Sequence, residues 1–361
     1  MNRQARRRSL VFVAGVIALP LRAQVIPETE IRLIASPFRD TTAAAQPRAA
    51  VAIGDIERLD PAIDALIPRD ARIEVLAEGF DWSEGPVWRA NGRYLLFSDV
   101  PKNTIYKWKQ GEGISVFLRP AGYAGKDPPG PELGSNGLTL DASGALVMAD
   151  HGNRQVARVV EPKFTKVTLA DRYNGKRFNS PNDVAFRRNG DLYFTDPPYG
   201  LAGLNADPAK ELRHNGVYRV DGKGTVTLLA QQTFPNGLAF SPDERTLYVA
   251  NSDPAKAVWM AYDVRANGSL GGGRVFFDAT RFAAEKRPGL PDGLKVDKQG
   301  NLFATGPGGV LVFNAQGKHL GTIRTGQPTA NCAFGDDGST LYITSNHQLL
   351  RVRLTTTGIG F

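Results

Sequence analysis

The segment Asp292-Gly293-Leu294-Lys295-Val296 decides the fold of this chain, because five other segments repeat its pattern. Each copy opens with a carboxylate or carboxamide residue and continues into a short run of alternating apolar residues, which predicts a β-strand. The other copies open at Glu84, Asn136, Asn182, Asn236 and Asn331. Successive openings are roughly 40 to 55 residues apart, which is the spacing expected of a repeated supersecondary unit.

Every predicted first strand leads into a tight turn and a second strand. In the copy at Asn136, the turn is Asp141-Ala142-Ser143-Gly144 and the second strand is Ala145-Leu146-Val147-Met148. Turns rich in Gly, Asp, Asn and Ser between apolar runs are typical of β-hairpins. A repeat of about 40 to 50 residues that contains only strands is typical of a four-stranded propeller blade. The six copies therefore predict an all-β fold, a six-bladed β-propeller.

The last copy provides only three strands before the chain ends. An open blade edge is usually covered by a further strand, so we expect Arg72 to Ala77 to close the ring as an N-terminal strand. Ahead of it, Ile53 to Leu66 shows weak helical periodicity, which predicts one or two short turns. The predicted organisation is a signal peptide at 1–23, an N-terminal extension at 24–70 and the propeller at 71–361.

Residues 1–23 have the composition of an export signal. Four arginines between Arg3 and Arg8 precede an apolar stretch from Leu10 to Leu19, as in a signal peptide. The sequence Arg7-Arg8-Ser9-Leu10-Val11 also fits a twin-arginine signal, and a general secretory signal is the alternative. We therefore predict a periplasmic or secreted protein. No apolar stretch is long enough to span a bilayer comfortably, so the sequence predicts no membrane span.

The basic charge of the chain belongs largely to this signal. The net charge is +8, but residues 1–23 contain five arginines and no acidic residue, which leaves +3 for the rest. Such a charge is too small and too scattered to predict a nucleic-acid-binding surface. The single cysteine, Cys332, excludes an intrachain disulfide. We interpret it as a small buried hydrophobe rather than a nucleophile.

The opening residues of the six copies predict a polar ring. The first strand of each propeller blade lies against the central channel, so equivalent residues converge at one end of the axis. Here they are two carboxylates and four amides: Glu84, Asn136, Asn182, Asn236, Asp292 and Asn331. Burying them without a partner is costly, and oxygen donors with a net charge of −2 suit a hard divalent cation such as Ca²⁺. The alternative is that each residue only stabilises its local turn.

Several longer motifs carry a family resemblance. They are Glu84-Gly85-Pro86-Val87-Trp88, Asn179-Ser180-Pro181-Asn182-Asp183-Val184, Tyr193-Phe194-Thr195-Asp196-Pro197-Pro198-Tyr199-Gly200, Pro235-Asn236-Gly237-Leu238-Ala239-Phe240 and Leu290-Pro291-Asp292-Gly293. Over about residues 60 to 355, the chain resembles the gluconolactonase / senescence marker protein-30 family. The resemblance implies a six-bladed propeller that binds one divalent cation in its channel, most often Ca²⁺, and hydrolyses sugar lactones.

The resemblance also implies roles for individual residues. Glu84, Asn236 and Asp292 match the family's metal ligands, and Asp292 matches its proposed proton donor and acceptor. Asn182 matches a residue that contacts metal or substrate, and we assign Asn136 and Asn331 to substrate contact. The expected cation is Ca²⁺ or another divalent ion such as Zn²⁺, Mg²⁺ or Mn²⁺. The animal members carry an arginine two residues before the position of Asn182, where this chain has Ser180.

Two further residues are candidates for the substrate pocket. His151 follows the second strand of the second copy, and it either orients the substrate, serves as the base, or only bonds local backbone. Tyr199 closes the third hairpin beside a double proline, and it either lines the pocket or packs against a neighbouring blade.

The function predicted from these features is metal-dependent hydrolysis of a sugar lactone such as gluconolactone. The metal would polarise the lactone carbonyl while a nearby carboxylate removes a proton from water. One alternative is organophosphate hydrolysis at a similar metal centre. Another is a non-catalytic propeller that binds a carbohydrate or peptide and holds a structural cation.

Overall fold

The computed structural model describes residues 51–361. The predicted signal peptide at 1–23 and most of the predicted extension lie outside these residues. In the part that is described, six sheets of four or five antiparallel strands form the blades of the β-propeller. Its one α-helix is short, Thr280–Ala284, and no helix within residues 51–361 is long and apolar enough to cross a membrane.

The blades follow one another along the chain. Blade 1 consists of Ser83–Arg89, Tyr94–Asp99, Thr104–Lys109 and Gly113–Leu118. Blade 2 consists of Leu138–Leu140, Leu146–Asp150, Gln155–Val160 and Thr165–Ala170. Blade 3 consists of Val184–Phe186, Leu192–Asp196, Gly216–Val220 and Val226–Gln231. Between blades 2 and 3 lies a small two-stranded ribbon, Arg172–Tyr173 with Lys176–Arg177.

The second half of the ring repeats this plan. Blade 4 consists of Pro235–Phe240, Thr246–Asp253, Lys256–Val264 and Leu270–Asp278. Blade 5 consists of Leu294–Val296, Leu302–Gly306, Gly309–Phe313 and His319–Arg324. Blade 6 contains Asn331–Gly335, Thr340–Ser345 and Gln348–Arg353. Short 3-10 helices occur at Pro61–Ala65, His151–Asn153 and Leu204–Ala206.

The fourth strand of blade 6 comes from the other end of the propeller sequence. Ile73–Glu78 pairs antiparallel with Gln348–Arg353, with Val75 opposite Leu350 and Ala77 opposite Leu349. This strand pairs with the outer edge of blade 6, so that one blade contains both ends of the propeller sequence. The observed strand begins and ends one residue later than the predicted 72–77.

Residues of the predicted extension also join the sheets. Ala52–Ile53 pairs with Ile73–Glu78, and Asp55–Arg58 pairs with His319–Arg324 at the outer edge of blade 5. The predicted short turn exists as Pro61–Ala65, where the Asp60 carboxylate accepts a hydrogen bond from the Ala62 amide at 2.9 Å. Turns alone are therefore the wrong description of 53–66, because the exposed edge of blade 5 recruits 55–58 as a strand.

Aromatic contacts hold neighbouring blades together. Trp88 of blade 1 stacks on Tyr342 of blade 6, with ring centroids 5.4 Å apart. Tyr193 of blade 3 meets Phe240 of blade 4 edge to face at 4.9 Å. Cys332 is buried between blades 5 and 6, where burial raises its thiol pKa to about 12, so it behaves as a small hydrophobe.

The closing strand gives a testable prediction. Ile73 is 1% exposed and packs in the core that blades 5 and 6 share, so Ile73→Ala should lower the free energy of unfolding by about 2–4 kcal/mol. Leu59 is 56% exposed, and Leu59→Ala should change this free energy by less than about 0.5 kcal/mol. Denaturant unfolding followed by circular dichroism measures both. Equal effects would contradict a closing role for the strand around Ile73.

Candidate active site

A pocket of about 410 Å³ opens at one end of the central channel. It collects side chains from four first strands or the residues just before them, together with loops that connect the blades. The lining side chains are Trp82, Glu84, Glu132, Asn136, Tyr199, Asn236, Ser252, Leu290, Asp292, Pro328 and Thr329. The structure therefore brings together the four predicted site residues Glu84, Asn136, Asn236 and Asp292, which lie far apart in the sequence.

Three oxygen atoms in this pocket have no hydrogen-bond partner among the described residues. They are Oδ1 of Asn136, Oδ1 of Asn236 and Oδ1 of Asp292, and all three are buried. The Asn236 amide nitrogen donates to the Ser252 hydroxyl at 2.9 Å, and that hydroxyl in turn donates to the carbonyl of Pro291. This chain of hydrogen bonds fixes the Asn236 amide with its nitrogen toward Ser252 and leaves its oxygen for another partner.

Glu84 is buried beside these oxygens. Its Oε2 accepts hydrogen bonds from the Gly85 amide at 2.9 Å and from the Asn331 side chain at 3.4 Å. Burial, reinforced by the charge of Asp183, raises the pKa of Glu84 to about 7. An ionised Glu84 is therefore costly without a positive partner.

Asp292 is also a buried carboxylate with a raised pKa. Burial, followed by the charges of Glu84 and Asp183, raises the pKa of Asp292 well above its usual range. Among residues 51–361, no three His, Cys, Asp or Glu side chains are grouped so that they could hold a metal ion. The pocket instead combines the carboxylates of Glu84 and Asp292 with the amide oxygens of Asn136 and Asn236. Two repelling carboxylates and unpartnered amide oxygens are the donor set that a hard divalent cation prefers. The residues fit the predicted cation.

Asn182 is buried at the opening of blade 3 but is not among the side chains that line the pocket. Its backbone amide donates to Thr195 at 2.9 Å, and its carbonyl accepts from Gly137 at 2.7 Å. The structure thus places Asn182 at the predicted position in the repeat, and its contact with metal or substrate stays a prediction.

Asn331 does not hold the opening position of its blade. In blade 5 the opening residue Asp292 donates its amide to Thr305, and in blade 6 Ala330 makes the equivalent bond to Thr344. Asn331 therefore lies one position further along its strand. The predicted alignment of the sixth copy is wrong by one residue: Asn331 was matched to the opening asparagines of the other copies, but Ala330 holds the opening position. The Asn331 side-chain amide donates a hydrogen bond to Oε2 of Glu84, but Asn331 does not line the pocket.

The position after each opening residue forms a second layer on the axis. Four blades place a glycine there: Gly85, Gly137, Gly237 and Gly293. A Cβ at Gly237 would lie 2.3 Å from the Asp292 carbonyl, and one at Gly293 would lie 2.0 Å from Cγ of Asn331. Only Asp183 and Asn331 carry side chains at this level, and they fill the space that the glycines leave.

His151 lies behind the pocket wall. It is fully buried, with Nδ1 3.1 Å from the Pro181 carbonyl and Nε2 3.0 Å from Oε2 of Glu132. Glu132, unlike His151, lines the pocket. The structure thus places His151 outside the pocket lining, and its role toward the substrate stays a prediction. Sequence reasoning missed Glu132 because its loop has no periodicity, although the run Asp127-Pro128-Pro129-Gly130-Pro131 marks a stiff segment.

Tyr199 satisfies both of its predicted alternatives. It lines the pocket and stacks on Phe234 of the neighbouring blade connection, with centroids 5.7 Å apart. Trp82 and Ser252 also line the pocket, and the repeat pattern gave no signal for either, since both lie outside the opening positions. The pocket thus combines a polar, oxygen-rich base with aromatic walls.

Comparison with known proteins places this site in context. Residues 82–347 match the family described as SMP-30/Gluconolactonase/LRE-like region. A gluconolactonase of Zymomonas mobilis is 45% identical over 313 residues, which cover 85% of this chain and 88% of the relative. A pentonolactonase of Haloferax volcanii is 27% identical over 272 residues, covering 73% of this chain and 80% of the relative.

A solved structure agrees with these sequence relatives. The structure of a gluconolactonase from Xanthomonas campestris superimposes with a TM-score of 0.74 at 33% identity. The match covers 86% of this chain and 99% of the solved one.

The second-layer glycines give a prediction with a matched control. Gly237→Ala would force a methyl group onto the Asp292 carbonyl, which lies 2.3 Å away. We expect it to lower the free energy of unfolding by at least about 2 kcal/mol. At Gly222 nothing lies within 4 Å of a Cβ, so Gly222→Ala should change this free energy by less than about 0.5 kcal/mol. Thermal and denaturant unfolding of both variants measure this free energy. A Gly237→Ala protein as stable as wild type would refute close packing at the axis.

Proposed function

This chain belongs to the SMP-30/gluconolactonase/LRE-like family, and on that premise we propose that it hydrolyses a sugar lactone such as gluconolactone with the help of a bound divalent cation. The named relatives support a lactonase: they are a gluconolactonase and a pentonolactonase. The observation that carries the metal requirement is the group of buried, unpartnered oxygens of Asn136, Asn236 and Asp292 beside Glu84.

Glu84, Asn236 and Asp292 would hold the cation, joined by Asn182 if the family resemblance extends to that residue. All of these donors are oxygens. Ca²⁺ and Mg²⁺ accept carboxylate and amide oxygens, whereas Zn²⁺ sites in proteins are usually built from histidine and cysteine. Ca²⁺ also tolerates irregular coordination, so we propose Ca²⁺ as the resident ion. A positive ion would offset the burial and mutual repulsion of the two carboxylates.

The cation would polarise the lactone carbonyl and stabilise the negative charge that develops on its oxygen. Asp292 supplies the base, because its Oδ1 lacks a protein partner among the described residues and burial raises its pKa above the usual range, which makes it a stronger proton acceptor. Water attacks the carbonyl carbon and loses a proton to Asp292. The ring C–O bond then breaks, and Asp292 returns the proton to the departing ring oxygen, which yields the open hydroxy acid.

The other lining residues orient the substrate. The Asn136 oxygen accepts hydrogen bonds from substrate or water in the pocket, while Tyr199 and Trp82 provide apolar surface beside the sugar ring. The export signal predicted at residues 1–23 leads us to propose that this hydrolysis takes place in the periplasm or outside the cell.

Removal of the cation tests the proposal. Chelation should abolish lactone hydrolysis, and Ca²⁺ should restore it. Glu84→Gln keeps the shape of the side chain but removes its charge, and we expect kcat/KM for gluconolactone to fall at least about 100-fold. Glu112→Gln, a control at a carboxylate that is 52% exposed, should retain full activity. Full activity in chelator, or in Glu84→Gln, would contradict a catalytic cation at this site.

The pKa of Glu84 predicts how cation binding depends on pH. In the metal-free protein this pKa is raised to about 7, so below pH 7 a proton competes with the cation for the carboxylate. Affinity should therefore rise with pH from 6 to 8, by about tenfold per unit below the pKa for each proton displaced. Calorimetric titration with Ca²⁺ in two buffers of different ionisation enthalpy should detect released protons at pH 6. Equal affinity at pH 6 and 8, without proton release, would refute the prediction.

A further inference from the structure

We propose that Glu132 binds hydroxyl groups of the substrate and so selects polyhydroxylated lactones, and that the buried His151 positions its carboxylate. Glu132 lines the pocket together with Asp292 and Tyr199, and His151 contacts it from behind. The inference rests on the proposed lactone hydrolysis at this pocket and concerns its specificity.

The backbone of the loop that carries Glu132 is fixed at several points. This loop, residues 121–134, connects blade 1 to blade 2. At its base the Tyr123 amide donates to the Leu133 carbonyl at 2.7 Å. At its tip the Ala202 amide donates to the Pro129 carbonyl at 3.4 Å, and a Cβ at Gly130 would lie 2.3 Å from the Gly200 carbonyl. The loop therefore leans on the segment that follows Tyr199, and Glu132 enters the pocket from a defined direction.

His151 is held in one orientation. Its ring packs so closely on Gly200 that a Cβ there would lie 2.7 Å from Cδ2 of the imidazole. Because the Pro181 carbonyl can only accept a hydrogen bond, Nδ1 carries a hydrogen toward it at 3.1 Å. Nε2 then lies 3.0 Å from Oε2 of the Glu132 carboxylate. The buried ring thus orients Glu132 without entering the pocket.

The chemistry of Glu132 matches hydroxyl donors. Oε2 faces His151, which leaves Oε1 and the remaining lone pairs for other partners, and the side chain is 30% exposed. Glu132 also lies near enough to Asp292 for its charge to help raise the pKa of that residue. A third acidic group in the pocket is unsuited to an apolar or anionic substituent, but it accepts hydrogen bonds from sugar hydroxyls.

The specificity test compares two lactones that differ in their hydroxyls. Wild type, Glu132→Ala and Glu132→Gln are assayed on glucono-δ-lactone and on δ-valerolactone, which has the same ring without hydroxyls. We expect Glu132→Ala to raise KM for gluconolactone at least about tenfold with kcat changed less than about twofold, since a site built for hydroxyls loses binding when its acceptor is removed. Hydrolysis of valerolactone should change less than about twofold. Glu132→Gln, which keeps an oxygen acceptor, should recover part of the KM.

His151→Gln tests the positioning role and should raise KM for gluconolactone, as Glu132→Ala does. Asp127→Ala is the control: Asp127 is an exposed acidic residue of the same loop, and the variant should have the KM of wild type. Unchanged unfolding temperature and Ca²⁺ affinity exclude a general structural effect. Equal losses on both lactones, or no loss on either, would overturn the inference while gluconolactone hydrolysis by wild type stands. A wild type that hydrolyses neither lactone would overturn the proposed function, and this inference with it.

Discussion

The structure depends on how closely the first strands of the blades approach one axis. Neighbouring blades bond to each other directly at this level: the Gly137 amide donates to the Asn182 carbonyl at 2.7 Å, and the Gly293 amide donates to the Ala330 carbonyl at 2.8 Å. A side chain at either glycine would collide with the neighbouring strand. Because glycine alone allows this approach, the residues just before it, which open the blades, are forced together at the mouth of the channel.

This close approach forms the pocket, and it also buries carboxylates and unpartnered amide oxygens, which is unfavourable. Glu84 and Asp292 arrive on blades 1 and 5 in a buried space; burial raises the pKa of both, and the charge of Glu84 raises that of Asp292 further. Amide oxygens from blades 2 and 4 point into the same pocket without partners among the described residues. Buried polar groups in native proteins normally have partners. The unpartnered oxygens are gathered at one place, and Ser252 fixes the Asn236 amide there. This arrangement supports the cation that we propose for the pocket.

The sequence predicted the repeated features well and the unique ones poorly. The six hairpins, the strand that closes blade 6 and the pocket residues Glu84, Asn236 and Asp292 all follow from a pattern that recurs, so each copy supports the others. Asn331 was misplaced because blade 6 has alanine at its opening position and no glycine after it. Glu132 was missed because an irregular loop reaches the pocket only through tertiary contacts, and strand 55–58 was missed because only the edge of blade 5 makes it a strand.

The layer below the pocket sets the charge of the axis. Asp183 is buried there, and its pKa is raised by burial while the ammonium of Lys295 opposes that change. Lys295 reaches in from the opposite end of the channel, with Nζ 3.1 Å from the Leu294 carbonyl and 3.5 Å from Oδ1 of Asn331. The formal charges of Glu84, Asp183, Asp292 and Lys295 sum to −2. The lysine thus compensates the lower carboxylate, and the two upper ones keep the charge that a single divalent cation would neutralise.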